Sequence, residues 1–358
     1  MGRYLVQRVT AAIPVLFGIL FITFALARIL PGDPCRSILG EKATDEICDA
    51  FAERYGLNKP IPTQFAVYLR DIARGDLGDS FRYGRPVTTL MIERLPVTLE
   101  LAFSAMIFAT AVGIPLGIWS AYKRNSFADV GTMMVANIGV SMPVFWLGLM
   151  LAYIFALVLK DTPFALPPSG RNSAGMIVPT LMENWNLNVT GAVPLALLTF
   201  LSNMNIFNSF ITGNWPVFKD SVQHMILPAI ALGTIPLALI ARMTRSSLLE
   251  VLNQDYIRTA RAKGLRDRAV VMRHGFRNAL IPVVTIVGLS FGSLLAGAVL
   301  TETIFGLSGV GRILFDAIQA RDYAIVQGFT LIIAAFFVII NLVVDVTYAF
   351  LDPRVRLS

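Results

Sequence analysis

Charge is what this chain has least of. Only 15% of its 358 residues are Asp, Glu, Lys or Arg, while 55% are hydrophobic. A soluble domain of this length needs far more polar surface to cover its core. The composition excludes an ordinary globular protein and predicts an integral membrane protein. Histidine is scarcer still: His224 and His274 are the only two. Neither sits in H-E-x-x-H or another zinc spacing, so no metal centre and no cofactor are expected. A G-x-x-x-x-G-K-[ST] loop is missing, so the chain carries no ATP site of its own. G-x-S-x-G is missing too. A membrane-embedded protease or lipid enzyme would need a polar constellation inside the spans, and the sequence reveals none.

What the chain does have is long apolar runs. A bilayer core of about 30 Å takes about 20 apolar residues in a helix. Six runs meet this, at roughly 9–30, 98–121, 132–159, 225–241, 279–300 and 324–350. The first begins with Arg3 and Arg8, as a signal peptide would. Its apolar part is longer than such a peptide's, and no A-x-A site follows, so it reads as a retained span. Residues 192–212 tempt a seventh count. Asn203, Asn205 and Asn208 fill their second half and need partners if buried, so the segment reads as extracytoplasmic or re-entrant.

The net charge of +7 is concentrated in loops. Between Arg242 and Arg277 lie nine Lys or Arg against Glu250, Asp255 and Asp267. Beside apolar runs this marks a cytoplasmic loop, and nucleic-acid binding is the weaker reading. Both termini are then cytoplasmic. The expected organisation is a tail and first span over 1–30, an extracytoplasmic segment over 31–97, and a transmembrane domain over 98–358. The loop 242–278 interrupts the last of these.

Within the outer segment, PGDP at 31–34 reads as a turn. TDEICDAFAERYG reads as a helix with Thr44 as N-cap and Gly56 as stop. Ile47, Phe51 and Tyr55 share one face of it, fitting either a cap on the membrane domain or a docking surface. Cys35 and Cys48 are the only cysteines, and both fall in this segment. In an oxidising periplasm they are a candidate disulfide tying the helix to the mouth of the first span. Two free thiols are the alternative.

Gly113 and Gly117 are one turn apart, as are Gly288 and Gly292, with Ala296 extending the second row. Such faces let helices pack closely in lipid. Pro14, Pro115, Pro143 and Pro236 are expected to kink their helices. Asp345, near Asn341, lies in the last run but close to its inner end, where a structural role is the simpler reading. GLSGVG at 306–311 reads as an outer turn.

The basic loop contains DYIRTARAKG at 255–264. On a helix, Tyr256, Ala260 and Gly264 fall on one side, bulky at one end and bare at the other. A bare side admits another protein surface. Arg258, Arg261 and Lys263 point elsewhere and suit acids or lipid headgroups. An interfacial helix held by lipid alone accounts for the charge but not for the Ala/Gly side.

The run RMTRSSLLEVLNQDYIRTARAKGL, followed by RHGFRNALIPVVT, resembles the cytoplasmic loop of binding-protein-dependent ABC transporter permeases, most closely the dipeptide/oligopeptide type. The likeness continues through LPGDP (30–34), YGLNKP (55–60), GDLGDSF (75–81), TLELAF (98–103), ATAVGIPLG (109–117), SMPVFWLG (141–148) and RDYAIVQG (321–328). It implies an all-α fold of six transmembrane helices in a bacterial inner membrane. It also implies a sister permease, two ATPase subunits beneath, and a soluble substrate-binding protein outside. In that family a short loop helix seats in a groove of the ATPase. Carried over by motif, Tyr256, Arg258, Thr259, Ala260, Lys263 and Gly264 would couple the spans to ATP hydrolysis. Dipeptides are the expected cargo; relatives also carry haem, nickel complexes or glutathione. A channel or secondary transporter fits less well, since the sequence shows no intramembrane charge relay.

Overall fold

The computed structural model describes residues 2–29, 34–40 and 42–351. Of the turn expected at 31–34, residues 31–33 lie outside them, as do the side chains of Ala296 and Asp345. In chain order the helices are α1 Gly2–Ile29, α2 Pro34–Leu39, α3 Asp45–Arg54, α4 Ile61–Ala73 and α5 Val87–Tyr122. Next come α6 Phe127–Ser141, α7 Val144–Ala152, α8 Leu181–Asn184, α9 Ala192–Ser202 and α10 Asn205–Ile211. The last are α11 Trp215–Leu252, α12 Asp255–Ala262, α13 Asp267–Ala269, α14 Arg277–Ile304, α15 Val310–Ala320 and α16 Tyr323–Leu351. Wide π-type turns extend α7 over Tyr153–Val158 and lead into α14 over Val270–Phe276. Among the described residues no strand forms; Asp79 and Pro86 make one isolated bridge. The chain is all-α.

The centre of the fold is the pair α5 and α11, of 36 and 38 residues. Their contact is built from small residues. A Cβ on Gly117 would lie 2.6 Å from the Ala241 carbonyl oxygen, and one on Gly113 would lie 2.9 Å from that of Leu237. Gly233 returns the favour from α11, where a Cβ would come 2.7 Å from the Ala105 carbonyl oxygen. Ala102, Ala105, Ala109, Ala231, Ala238 and Ala241 line the same seam, nearly or fully inaccessible. Lipid tails compete with any apolar side chain, so helices in a bilayer gain most by backbone approach. Gly292 plays a similar part on α14, where a Cβ would come 2.5 Å from the Phe337 ring of α16. Gly288 is buried on the same helix.

Among the described residues, five helical segments are long and apolar enough to cross a membrane: Val6–Ile29, Val87–Tyr122, Trp215–Leu252, Asp267–Leu295 and Tyr323–Val343. The run expected as a straight span over 132–159 is broken instead. Helix α6 and the stretch Val144–Val158 meet at 101°. Pro143 supplies no N–H and holds Met142 extended, at φ −82° and ψ 132°, which ends α6 there. A second bent pair, α9 and α10, meets at 98°. With 11 and 7 residues at about 1.5 Å each, neither arm of that pair crosses a bilayer alone.

The described residues between α1 and α5 form a cap. Cys35 and Cys48 are joined, with Cα atoms 5.5 Å apart. Thr44 occupies the N-cap of α3 as expected, though its hydroxyl makes no capping bond. Gly56, at φ +65°, ends the following turn. The Phe51 and Tyr55 rings contact Phe81, which meets Tyr323 at the start of α16. Ile47 stays half exposed. Helix α4 lies along α1, where Phe65 contacts Phe17, Phe21 and Phe24. Arg28 ends that contact by sitting 3.9 Å over the Phe24 ring and donating to Gln64.

Candidate functional site: the 242–278 loop and its polar ties

Helix α12 is short because both its ends are specified. Gln254 is extended at φ −76° and ψ 152° and starts it, with Asp255 in the first turn favouring the positive helix end. At the other end Gly264 adopts φ +75°, a left-handed conformation that costs any side-chain-bearing residue. Its N–H reaches the Arg261 carbonyl, and the Leu265 N–H reaches that of Ala260. This pair of bonds is a Schellman ending.

Packing then decides which side of α12 faces outward. Ile257, Ala260 and Val270 form a small buried cluster with Leu252 against it. Ala260 is 7% exposed, so it does not lie on an open surface beside Tyr256 and Gly264. This corrects the expectation of a bare Ala/Gly side. The small side chain at 260 lets α12 sit down on its own loop. The outward side is Tyr256, Arg258, Thr259, Lys263 and Gly264, all exposed. Arg258 pairs with Asp255 at 3.3 Å and Arg261 approaches Asp267 at 3.6 Å, both at the surface, where such pairs contribute little. Tyr256 accepts from Asn278 at 3.1 Å, linking α12 to the first turn of α14.

A clamp lies just above the loop. Asp129 accepts from Arg245 through Nε and Nη2, both at 2.8 Å. It also accepts from the Ser120 hydroxyl and from the Asn125 N–H. One carboxylate thus joins α5, the α5–α6 turn and α11.

Three more buried acids sit at the far end. Glu100 of α5 accepts from the N–H groups of Asn205 and Ile206, at 3.2 and 2.6 Å, and pairs with Arg171 at 3.2 Å. It therefore occupies the first turn of α10 and pins the bent α9–α10 pair. Burial pulls the Arg171 guanidinium below its usual range; Glu100 opposes the fall, and neighbouring Arg94 adds to it. Glu302, fully buried, accepts from Thr98 at 2.5 Å and from the Arg312 N–H at 3.0 Å. The glycines of GLSGVG make room for it, since a Cβ on Gly309 would strike the carboxylate. Asp322 accepts from Ser80 at 2.6 Å and from the Arg82 N–H at 3.1 Å, joining GDLGDSF to RDYAIVQG.

None of these buried acids stood out in the sequence, and Glu100 alone lies within one of the six expected runs. Glu100, Asp129 and Glu302 are all buried. Each is satisfied by backbone N–H groups, hydroxyls or arginine, which makes it a tie between elements. Single acids inside TLELAF and at the end of the 279–300 run were the available signal. Among the described residues no group of three or more His, Cys, Asp or Glu is placed to hold a metal.

A helical membrane fold with an exposed, capped loop helix on one end is the architecture of an ABC importer permease. The chain belongs to the family described as "binding-protein-dependent transport system inner membrane component", whose profile matches residues 113–357, with the family's N-terminal component over 1–102. It is 44% identical over 99% of its length to the dipeptide transport system permease protein DppB of Alkalihalophilus pseudofirmus, covering all of that protein. Identity to DppB of Escherichia coli K12 is likewise 44%, over 99% of each chain. The fold is similar to a chain of the inward-facing MetNI methionine ABC transporter. The TM-score is 0.52, with 14% identity, 74% of this chain covered and 97% of that one.

Proposed function

We propose that this chain is one of two permease subunits forming the pathway of an ATP-driven importer of dipeptides or short peptides. The observation that carries the reading is end-to-end similarity, at 44% identity, to dipeptide permeases. The rest of the assembly follows from the family's dependence on a binding protein. A sister permease completes the pathway, two ATPase subunits take the face bearing α12, and a soluble binding protein delivers cargo outside. Lipid surrounds the spans. The six-span count takes the α6–α7 pair as one broken span and α9–α10 as re-entrant, putting both termini and the 242–278 loop in the cytoplasm.

Docking is carried by Tyr256, Arg258, Thr259, Lys263 and Gly264, with Ala260 seating the helix from behind. A helix so placed converts ATPase closure into rocking of the spans between inward and outward states. No step of ATP hydrolysis falls to this chain. The test is reconstitution of the four-subunit assembly in vesicles with its binding protein and a labelled dipeptide. ATP-dependent dipeptide accumulation is the expected result. Accumulation of haem, a nickel complex or glutathione with no dipeptide uptake would replace the cargo while keeping the class.

A further inference from the structure

Where the basic loop meets the end of α5, two cavities lie side by side and share Tyr122 and Val271 as a common wall. The first, of about 450 Å³, is mainly apolar. It runs between Ile118 and Trp119 of α5 and Val271 and Met272 of the wide turns leading into α14, and Arg268 is the one charged residue in its lining. The second, of about 380 Å³, is polar: Lys123, Arg124 and Arg261 bring three cations to it against one acid, Asp267. That acid already faces Arg261 at 3.6 Å. The Lys123 ammonium lies 5.6 Å from the centre of the Tyr122 ring. Arg124 and Arg268 are exposed, and their guanidinium groups have no hydrogen-bond or ion-pair partner among the described residues.

The neighbouring side chains mark the depth of this place in a bilayer. Trp119 and Tyr122 are half exposed, and Phe127, just beyond the α5–α6 turn, is 98% exposed. Aromatic side chains at one level, interleaved with Lys123 and Arg124, belong at the boundary between hydrocarbon and headgroups. Farther along α5, Phe103 and Ile107 are exposed too, as a face against acyl chains requires. A free anion would fill the basic cavity and leave the apolar one to water. A neutral lipid would fill the apolar one and leave Arg124 and Arg268 unpaired. An amphiphile with a negative head satisfies both, and basic pockets beside membrane helices hold such heads.

We propose that the paired cavities are a site for one anionic phospholipid, with its phosphate drawn by Arg124 and Arg268 and an acyl chain along Ile118, Trp119 and Met272. The leaflet, though not the site, rests on the topology proposed above, which makes it the cytoplasmic one. The occupant joins α5 to the segment that leads from α12 into α14. The probes are phosphatidylglycerol and phosphatidylcholine with brominated chains, which quench tryptophan on contact. The reconstituted four-subunit assembly is compared with its Trp119→Phe variant, and the difference is the quench that belongs to Trp119. A basic residue near the surface contributes about fivefold to the binding of an anionic head, so phosphatidylglycerol is favoured by about fivefold or more in relative binding constant. Arg124→Gln with Arg268→Gln returns the ratio towards one. Both arginines are exposed and unpaired, so the assembly survives their replacement. Equal quenching by the two lipids, or a preference that the double variant leaves unmoved, overturns the proposal. Absence of quenching by either lipid means that another subunit covers this face, and overturns it as well. Native mass spectrometry of the unaltered assembly, titrated with both lipids at equal concentration, gives a second reading: phosphatidylglycerol is retained preferentially, and equal retention refutes the site. Failure of ATP-dependent dipeptide uptake in the same vesicles overturns the importer reading and leaves the lipid site standing.

Discussion

Gly264 offers the sharpest test of the loop helix. Its φ of +75° is the conformation that ends α12, and a Cβ built there meets nothing within 4 Å in this chain. Any loss on substitution therefore comes from backbone strain or from a partner's surface, not from an internal clash. Left-handed backbone costs a side-chain-bearing residue about 1–2 kcal/mol, and Asn less than most. If Gly264→Ala must restore that ending in order to dock, ATPase binding falls by about five- to thirtyfold. Gly264→Asn recovers most of the loss if backbone geometry is the cause, and none if a partner lies too close for any side chain. Gly264→Glu adds both faults and should uncouple hydrolysis from import while insertion in the membrane stays normal. The assay is paired: labelled dipeptide uptake and ATP hydrolysis in the same proteoliposomes. Parental import in all three variants would refute the assignment of α12 as the coupler.

Three further outcomes are expected. Single cysteines at Ser246 and Ala174, in a chain lacking Cys35 and Cys48, should be labelled from opposite sides; reaction of Ser246→Cys from outside intact cells breaks the six-span topology. Asp129→Ala leaves Arg245 half-buried without its carboxylate and should destabilise the protein by about 3 kcal/mol, less at the more exposed arginine end, whereas Asp129→Ala with Arg245→Met recovers part of it; equal thermal midpoints for both variants would deny the clamp. Mass spectrometry of the protein purified and alkylated without reductant should find Cys35 and Cys48 unmodified, and alkylation of both would show two free thiols.

The family and the coarse architecture were legible because they rest on repeated signals: apolar runs, loop charge and many short motifs spread over the chain. Local chemistry was legible where one residue decides it. Gly264 and Gly56 stop their helices, and Gly117 meets a backbone carbonyl. Orientation was harder. Nothing in the pattern of DYIRTARAKG says whether Ala260 faces a partner or its own loop; that depends on Val270, ten residues away. Pro143 signalled a kink, but the size of the bend follows from what α7 packs on, such as Phe305 against Gly148. The buried acids escaped for a related reason. An isolated Glu in an apolar run looks costly until the helix ends it caps, α10 for Glu100 and α15 for Glu302, are brought to it from more than a hundred and about ten residues away respectively.

The seam between α5 and α11 has a mechanical consequence. Two helices in backbone contact along several turns cannot slide past one another without lifting glycine off carbonyl, so the pair moves as one beam. Helix α11 alone, 38 residues at about 1.5 Å each, is about 57 Å long. Pivoted at its middle, a tilt of about 5° carries each end about 2.5 Å, in opposite directions. Arg245, held by Asp129, sits near the handle of this lever, and Asp220, which holds Asn172 and Ser173, sits near its far tip. A push of a few ångströms at the loop is thereby delivered to the opposite end of the fold as an equal and opposite displacement, with no relay of side chains in between.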